Sequence, residues 1–240
     1  MTKMKSKRWV DALSDPIALV NEVLSMLMFR VAPNLAKVRH IVAFQDGAQE
    51  KEIIIVGTVH YLHLKCRQYP LWDLKSVIYS VQPDLVLVEM RSSSIHSGDL
   101  GEGPIEMPFC MFVAREIGIE VRGIDDWCTA PSRREDNICA NLISEAACAH
   151  RTLVFVGYSH VYGLVRRLLA RGYRKMQLSR KSMYGLLKKP VAHSFPNGLA
   201  GAYRAAAEAA MNGNNSYDQA WANNRCKLAA EIAAHQSEND

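Results

Sequence analysis

The run IIIVG, residues 53 to 57, constrains this chain more than any other feature. Four β-branched residues stand in a row with no polar alternation. A strand with one wet face alternates apolar and polar positions. A strand that does not alternate is covered on both faces and lies inside its sheet. The segment TLVFVG, residues 152 to 157, repeats the pattern about a hundred residues later. Each run closes on a glycine, and each glycine is followed three positions on by a histidine: GTVH, residues 57 to 60, and GYSH, residues 157 to 160.

Two central strands of this kind need helices above and below, and the rest of the chain supplies them. VRHIVAFQDGAQEKEIIIVG reads as a hairpin, with Asp46-Gly47 at its turn. Helix then alternates with strand: a helix over 70–81 stopped by Pro83, the strand DLVLVEM, the polar, glycine-rich loop RSSSIHSGDLGEGP, a helix over 105–118 ending at Gly118, and the strand IEVRGID. A helix over 132–150, the strand TLVFVG, a helix over 162–171 stopped at Gly172 and the strand YRKMQLS complete the series. The pattern predicts an α/β fold with a largely parallel central sheet, an N-terminal hairpin and helices on both faces. Residues 1–180 read as that α/β domain. Residues 181–240 hold two alanine-rich helices around NGNN and read as a helical C-terminal extension packing on it.

Composition sets bounds on function. Hydrophobic residues make up 49% of the 240 residues, which is ordinary for a globular protein with a large core. Net charge is +5, gathered in KMKSKR, RRLLARGYRK and SRKSMYGLLKK. That excess is too mild to predict specific nucleic-acid binding and reads first as a solvated face. The cysteines Cys66, Cys110, Cys128, Cys139, Cys148 and Cys226 form no CxxC pair, so they read as reduced thiols and a cytoplasmic setting is expected. PIALVNEVLSMLMFRVAP, residues 16 to 33, is interrupted by Asn21, Glu22 and Arg30. It predicts an amphipathic helix that packs on the core or touches a membrane surface, not a spanning segment or a signal peptide.

The candidate chemistry sits where the strands end. Their carboxyl ends carry His60, Glu89, Asp125 with Asp126, and His160. In a parallel sheet these ends share one edge, and ligands bind in the crevice there. Imidazoles and carboxylates gathered on one edge suit a divalent metal or general acid–base work. A glycine at each strand exit lets the chain turn and approach a ligand closely. Glu89 is expected to be buried, as ligand or base, or else in a salt bridge with Arg91 or Arg115. Asp125 reads equally as a ligand, as a partner orienting a histidine, or as a helix cap. On spacing alone, Glu106 is a favourable charge at a helix start. His63 and His96 are further candidate ligands, read more simply as loop residues.

The same residues resemble the TraB/GumN/Tiki superfamily, related to the haem-binding ChaN proteins and the erythromycin esterase-like fold. The resemblance rests on GTVH and GYSH, on QPDLVLVEMR with Glu89, on IEMPFCMFVAREIGIEVRGID with Glu106 and Asp125, and on HVYGLVRRLLARGY. It covers residues 50 to 178, departing at Asp125-Asp126-Trp127, where the family often has Asp-Arg. It implies a metal-dependent hydrolase, a peptidase, that uses manganese or cobalt rather than zinc. His60, His160, Glu89 and Asp125 would be metal residues, and Glu89 or Glu106 the general base. The alternative it implies is a non-catalytic module in which the same histidines bind haem or another ligand. A peptide or small-molecule substrate and a homodimer are the expected partners.

Overall fold

The structure, a computed structural model, describes residues 40–47, 50–60, 63, 69–98, 100, 103–126, 131–187, 190–212 and 216–237. The basic tail and the amphipathic helix expected before residue 40 lie outside the described residues, as do Cys66 and Cys128. In chain order the elements are β1 (Ile41–Gln45), β2 (Glu52–Thr58), α1 (Leu71–Val81), β3 (Leu85–Val88), α2 (Ser92–Ser97), α3 (Glu106–Glu116) and β4 (Glu120–Gly123). They continue as α4 (Pro131–Ala146), β5 (Arg151–Gly157), α5 (Tyr158–Ala170), β6 (Arg174–Lys175), α6 (Arg180–Leu187), α7 (Leu199–Met211) and α8 (Ser216–Ser237).

The strands form one sheet in the order β4-β3-β5-β2-β1-β6. The two unbroken apolar runs, β2 and β5, are parallel neighbours in its middle, paired from Glu52↔Arg151 to Thr58↔Gly157. β3 lies parallel to β5 on one side and to β4 on the other. β1 runs antiparallel to β2, as the expected hairpin requires. Pairing stops at Gln45↔Glu52, and Asp46 N–H donates to Lys51 O at 2.9 Å, so the connection is longer than Asp46-Gly47 alone.

Crossover handedness distributes the helices. The steps β2–α1–β3 and β3–α3–β4 move one way along the sheet; β4–α4–β5 and β5–α5–β6 move back. Right-handed crossovers in opposite directions place their helices on opposite faces. Accordingly one core packs α1 and α3 against Ile54, Val56, Val86, Val88, Leu153 and Phe155. The other packs α4 and α5 against Ile53, Ile55, Leu85, Leu87, Val154 and Val156. Along β2 and β5 successive residues belong alternately to the two cores, which is why neither strand alternates in polarity. The C-terminal helices join the first core through Leu187, Leu199, Tyr203, Leu228 and Ile232.

Three elements depart from the sequence reading. The polar loop after β3 contains α2, whose Ile95 and Ser94 are buried. One apolar residue per turn is too faint a period to read. α5 begins directly at Tyr158 rather than near 162, so the second histidine stands in its first turn. The strand expected over YRKMQLS is reduced to two paired residues, β6, on Phe44 and Gln45. Gly118 and Gly172 end their helices as expected, at φ of 76° and 86°. Among the described residues no helix is long and apolar enough to cross a membrane.

Candidate functional site

The connection leaving β3 runs toward β4, and the one leaving the adjacent β5 runs toward β6. The loops therefore diverge above these two strands and open a crevice at their carboxyl ends, the switch point where α/β sheets bind ligands. Glu89 directly follows β3, and Gly157 ends β5. His60 stands two residues beyond β2, and Asp125 two beyond β4. The sheet order brings these four chain-distant segments side by side.

Glu89 lies at the centre and is 2% exposed. Its Oε2 accepts the Gly157 N–H, and its Oε1 accepts Arg134 Nη2 at 2.7 Å. Arg134, on α4, is a counter-ion that the sequence reading did not name. Its Nε also donates to Asp125, at 3.2 Å to Oδ1 and 3.1 Å to Oδ2, and Nη2 donates to Oδ2. Burial disfavours the guanidinium charge, but Asp125 and Glu89 outweigh it and hold Arg134 above its ordinary pKa. Asp125 thus gives both oxygens to Arg134. It positions the cation that in turn fixes Glu89.

The two histidines share a design but not a backbone. His60 adopts φ 51°, an uncommon left-handed conformation for a residue with a side chain. Its Nδ1 lies 2.9 Å from Glu106 Oε1. Glu106 is completely buried. Burial opposes its charge, yet the charge and hydrogen bond of His60, then His63 and Thr58, keep its carboxyl below the usual range. An ionised carboxylate only accepts, so the Nδ1 that faces Glu106 carries a proton. Among the described residues, Glu106 Oε2 has no donor at hydrogen-bond distance. The Thr58 hydroxyl is spent on Val156 O at 3.2 Å and favours the charged carboxyl only from nearby.

His160, in the first turn of α5, places Nε2 3.6 Å from Glu89 Oε1 and Nδ1 3.7 Å from Glu135 Oε1. Glu135 is held from behind by Arg167 Nη1 at 2.8 Å. Gly163 makes room for it: a Cβ there would fall 2.0 Å from Glu135 Oε2.

The motif glycines are explained by contact rather than by a sharp turn. Gly157 has φ −54°, open to any residue. A Cβ on it would meet His60 Cε1 and Nε2 at 2.8 Å and Glu89 Oε2 at 3.3 Å. A Cβ on Gly57 would meet Val161 Cγ2 at 2.9 Å and Tyr158 Cδ2 at 3.0 Å. Each motif's glycine is the seat for side chains of the other motif's segment. The two GxxH stretches interlock, with the His60 ring and Glu89 Oε2 both bordering Gly157 at the end of β5.

His63 and His96 fall outside this set. His63 is buried: its Nε2 accepts Val59 N–H at 3.0 Å and its Nδ1 donates to Tyr69 O at 2.7 Å. His96 is exposed on α2 and bonds Ser92 O at 2.6 Å. The sequence reading missed Arg134, Glu135 and His40. Arg134 and Glu135 are adjacent in the charged stretch SRRED, the one available signal, which reads as an exposed helix start. His40 is 1% exposed, contacts Gly57 O through Nδ1 at 3.1 Å, and stacks on Tyr158 with ring centroids 3.9 Å apart.

As donors, His60, His160 and Glu89 suit a divalent ion in kind. His60, whose Nδ1 meets Glu106 at 2.9 Å, is backed by a carboxylate as metal-binding histidines usually are, whereas His160 Nδ1 has Glu135 only at 3.7 Å. His160 Nε2 and Glu89 Oε1, 3.6 Å apart, stand near the roughly 3.4 Å that two ligands on one tetrahedral ion adopt. Among the described residues, no three His, Cys, Asp or Glu side chains are gathered as a metal-holding group. Fold and site together define an α/β protein with a histidine–carboxylate centre at the switch point of its sheet. No protein-family model, curated protein or solved structure matches the chain.

Proposed function

We propose that this chain is a metal-dependent hydrolase acting on peptides, with His60 Nε2, His160 Nε2 and Glu89 as the residues that would hold the ion. One observation carries the reading. Each GxxH imidazole has a carboxylate on its Nδ1 side, Glu106 at 2.9 Å from His60 and Glu135 at 3.7 Å from His160, and the His160 ring stands 3.6 Å from Glu89 while the His60 ring borders Gly157, as Glu89 does. A divalent ion there would polarise a substrate carbonyl and acidify a water. The chain's own residues prepare that chemistry. Glu106 keeps the His60 proton on Nδ1, away from the crevice. Arg134 keeps Glu89 fixed at the centre. Glu106 is fully buried and reaches the crevice only through His60, so its role is to position that ring. The resemblance to the TraB/GumN/Tiki superfamily supports the peptidase assignment. A reducing, cytoplasmic setting accords with the free thiols of Cys110, Cys139, Cys148 and Cys226.

The test is calorimetric titration of manganese, cobalt and zinc into wild-type protein and the His60→Ala/His160→Ala double variant, followed by a fluorogenic peptide library. Stoichiometric binding that the double variant loses, with metal-stimulated cleavage, is the expected result. No metal binding by the wild type, or undiminished cleavage by His160→Ala, overturns the reading. A haem Soret band that disappears in His60→Ala would assign the site to the ligand-binding alternative.

A further inference from the structure

We infer that the C-terminal helices α7 and α8 belong to the site: Tyr203 and Arg225 are positioning residues that aim Glu106 at His60. The inference rests on the reading of His60 and Glu106 as a working pair.

Glu106 opens α3, with Ile105 as its N-cap. The approach to it, Leu100 and Gly103 to Ile105, is buried although it is irregular backbone. Buried carbonyls need donors, and two helices from the far end of the sequence supply them. The Tyr203 hydroxyl donates to Ile105 O. Arg225 Nη2 donates to Gly103 O at 2.9 Å and to Leu100 O at 3.3 Å. The Ile105 carbonyl belongs to the peptide plane shared with Glu106, so the bond from Tyr203 fixes the plane from which the Glu106 side chain departs. An N-cap carbonyl already accepts the first bond of its helix; its second lone pair is the one Tyr203 takes. Gly103 has φ 132°, where only glycine is unstrained, so the chain there holds its course through these bonds.

The cost argues for a role. Arg225 is 1% exposed and Tyr203 fully buried, the latter in the first core. Burying a guanidinium is expensive, and leucine or methionine would fill the space more cheaply. Arg225 Nη2 instead donates to two loop carbonyls just ahead of Glu106. α7 also packs against α3 itself, so the C-terminal helices hold both the approach to Glu106 and the helix it opens.

The readout is the tautomer of His60. Long-range proton–nitrogen correlation on protein labelled at its histidines reports which ring nitrogen carries hydrogen, and the His60 signal is the one missing from a His60→Asn variant. The wild type should show His60 protonated at Nδ1. Tyr203→Phe, which removes one oxygen and keeps the ring, and Arg225→Lys should each shift the tautomer ratio roughly five- to tenfold toward Nε2–H, the effect of one buried hydrogen bond. A variant that is merely destabilised would keep the wild-type ratio in its folded fraction. Unchanged His60 signals in folded Tyr203→Phe overturn the inference, and this variant decides alone should Arg225→Lys not fold. The readout needs neither metal nor turnover. The hydrolase reading and this inference therefore fail separately.

Discussion

The buried histidines behind the site make the protein acid-labile in a defined window. His40 is held at a pKa of about 4, against 6.5 when exposed: burial is the main cause, the Gly57 carbonyl opposes it, and His63 adds repulsion. His63 is also held at about 4, by burial first, with Glu106 and the Tyr69 carbonyl opposing and His60 adding repulsion. The unfolded chain takes up both protons near pH 6.5, whereas the folded chain does so only near pH 4. Between these values the unfolded state binds more protons, so stability falls as pH drops. Above pH 6.5 the contribution is whole, and below 4 its loss is complete. At 1.36 kcal/mol per pKa unit, each histidine accounts for about 3 kcal/mol. The pair together rivals much of the roughly 5–15 kcal/mol that holds a domain folded. His40→Phe keeps a ring against Tyr158 and removes one titration. It should be about 1 kcal/mol less stable than wild type at pH 7.5, for the lost bond to Gly57 O. The curves should cross at about pH 6, below which the variant is the more stable. Urea midpoints of both proteins at half-unit steps from pH 7.5 to 4 check this. Parallel pH curves would refute the buried-neutral assignment of His40.

Two further substitutions probe the centre itself. Gly157→Ala puts a methyl 2.8 Å from the His60 ring and should lower metal affinity at least about tenfold by calorimetry while β5 stays paired. Arg134→Met leaves Glu89 and Asp125 as buried carboxylates without their cation and should cost about 3 kcal/mol in urea unfolding, toward the low end for a broken buried pair because Arg134 is 22% exposed.

The parts of this fold that were legible in the sequence are those where a single strand reports on both of its faces. IIIV and LVFV lack alternation because adjacent residues serve different cores, and that fact places β2 and β5 in the middle of the sheet. Their termini followed, and with them the neighbourhood of His60, Glu89, Asp125 and His160. The partners of those residues were not legible. Arg134 reaches Glu89 across 45 residues and Glu106 reaches His60 across 46, and no local pattern records either pairing. Spacing alone gave Glu106 a helix-start role, which it also has; its burial and its bond to His60 arise from tertiary packing. The glycines were read correctly as necessary but for a different reason, because close approach by a segment a hundred residues away leaves no mark beside them.

That reason bears on why the motif occurs twice. If each glycine served its own histidine, either GxxH could exist alone. Here Gly57 admits Tyr158 and Val161, which start α5 at the height where His160 meets Glu89. Gly157 admits the His60 ring, which could not otherwise lie beside Glu89 at φ 51°. The His60 backbone is strained and the His160 backbone is an ordinary helical turn, so the histidines are not structural equivalents. Their convergence comes from the parallel register Thr58↔Gly157, which sets the two glycines one step apart across adjacent strands. A side chain at Gly157 would press on the His60 ring and on Glu89, and one at Gly57 would press on the start of α5, which carries His160. The repeated GxxH is one site divided between two strands, with each half built to receive the other.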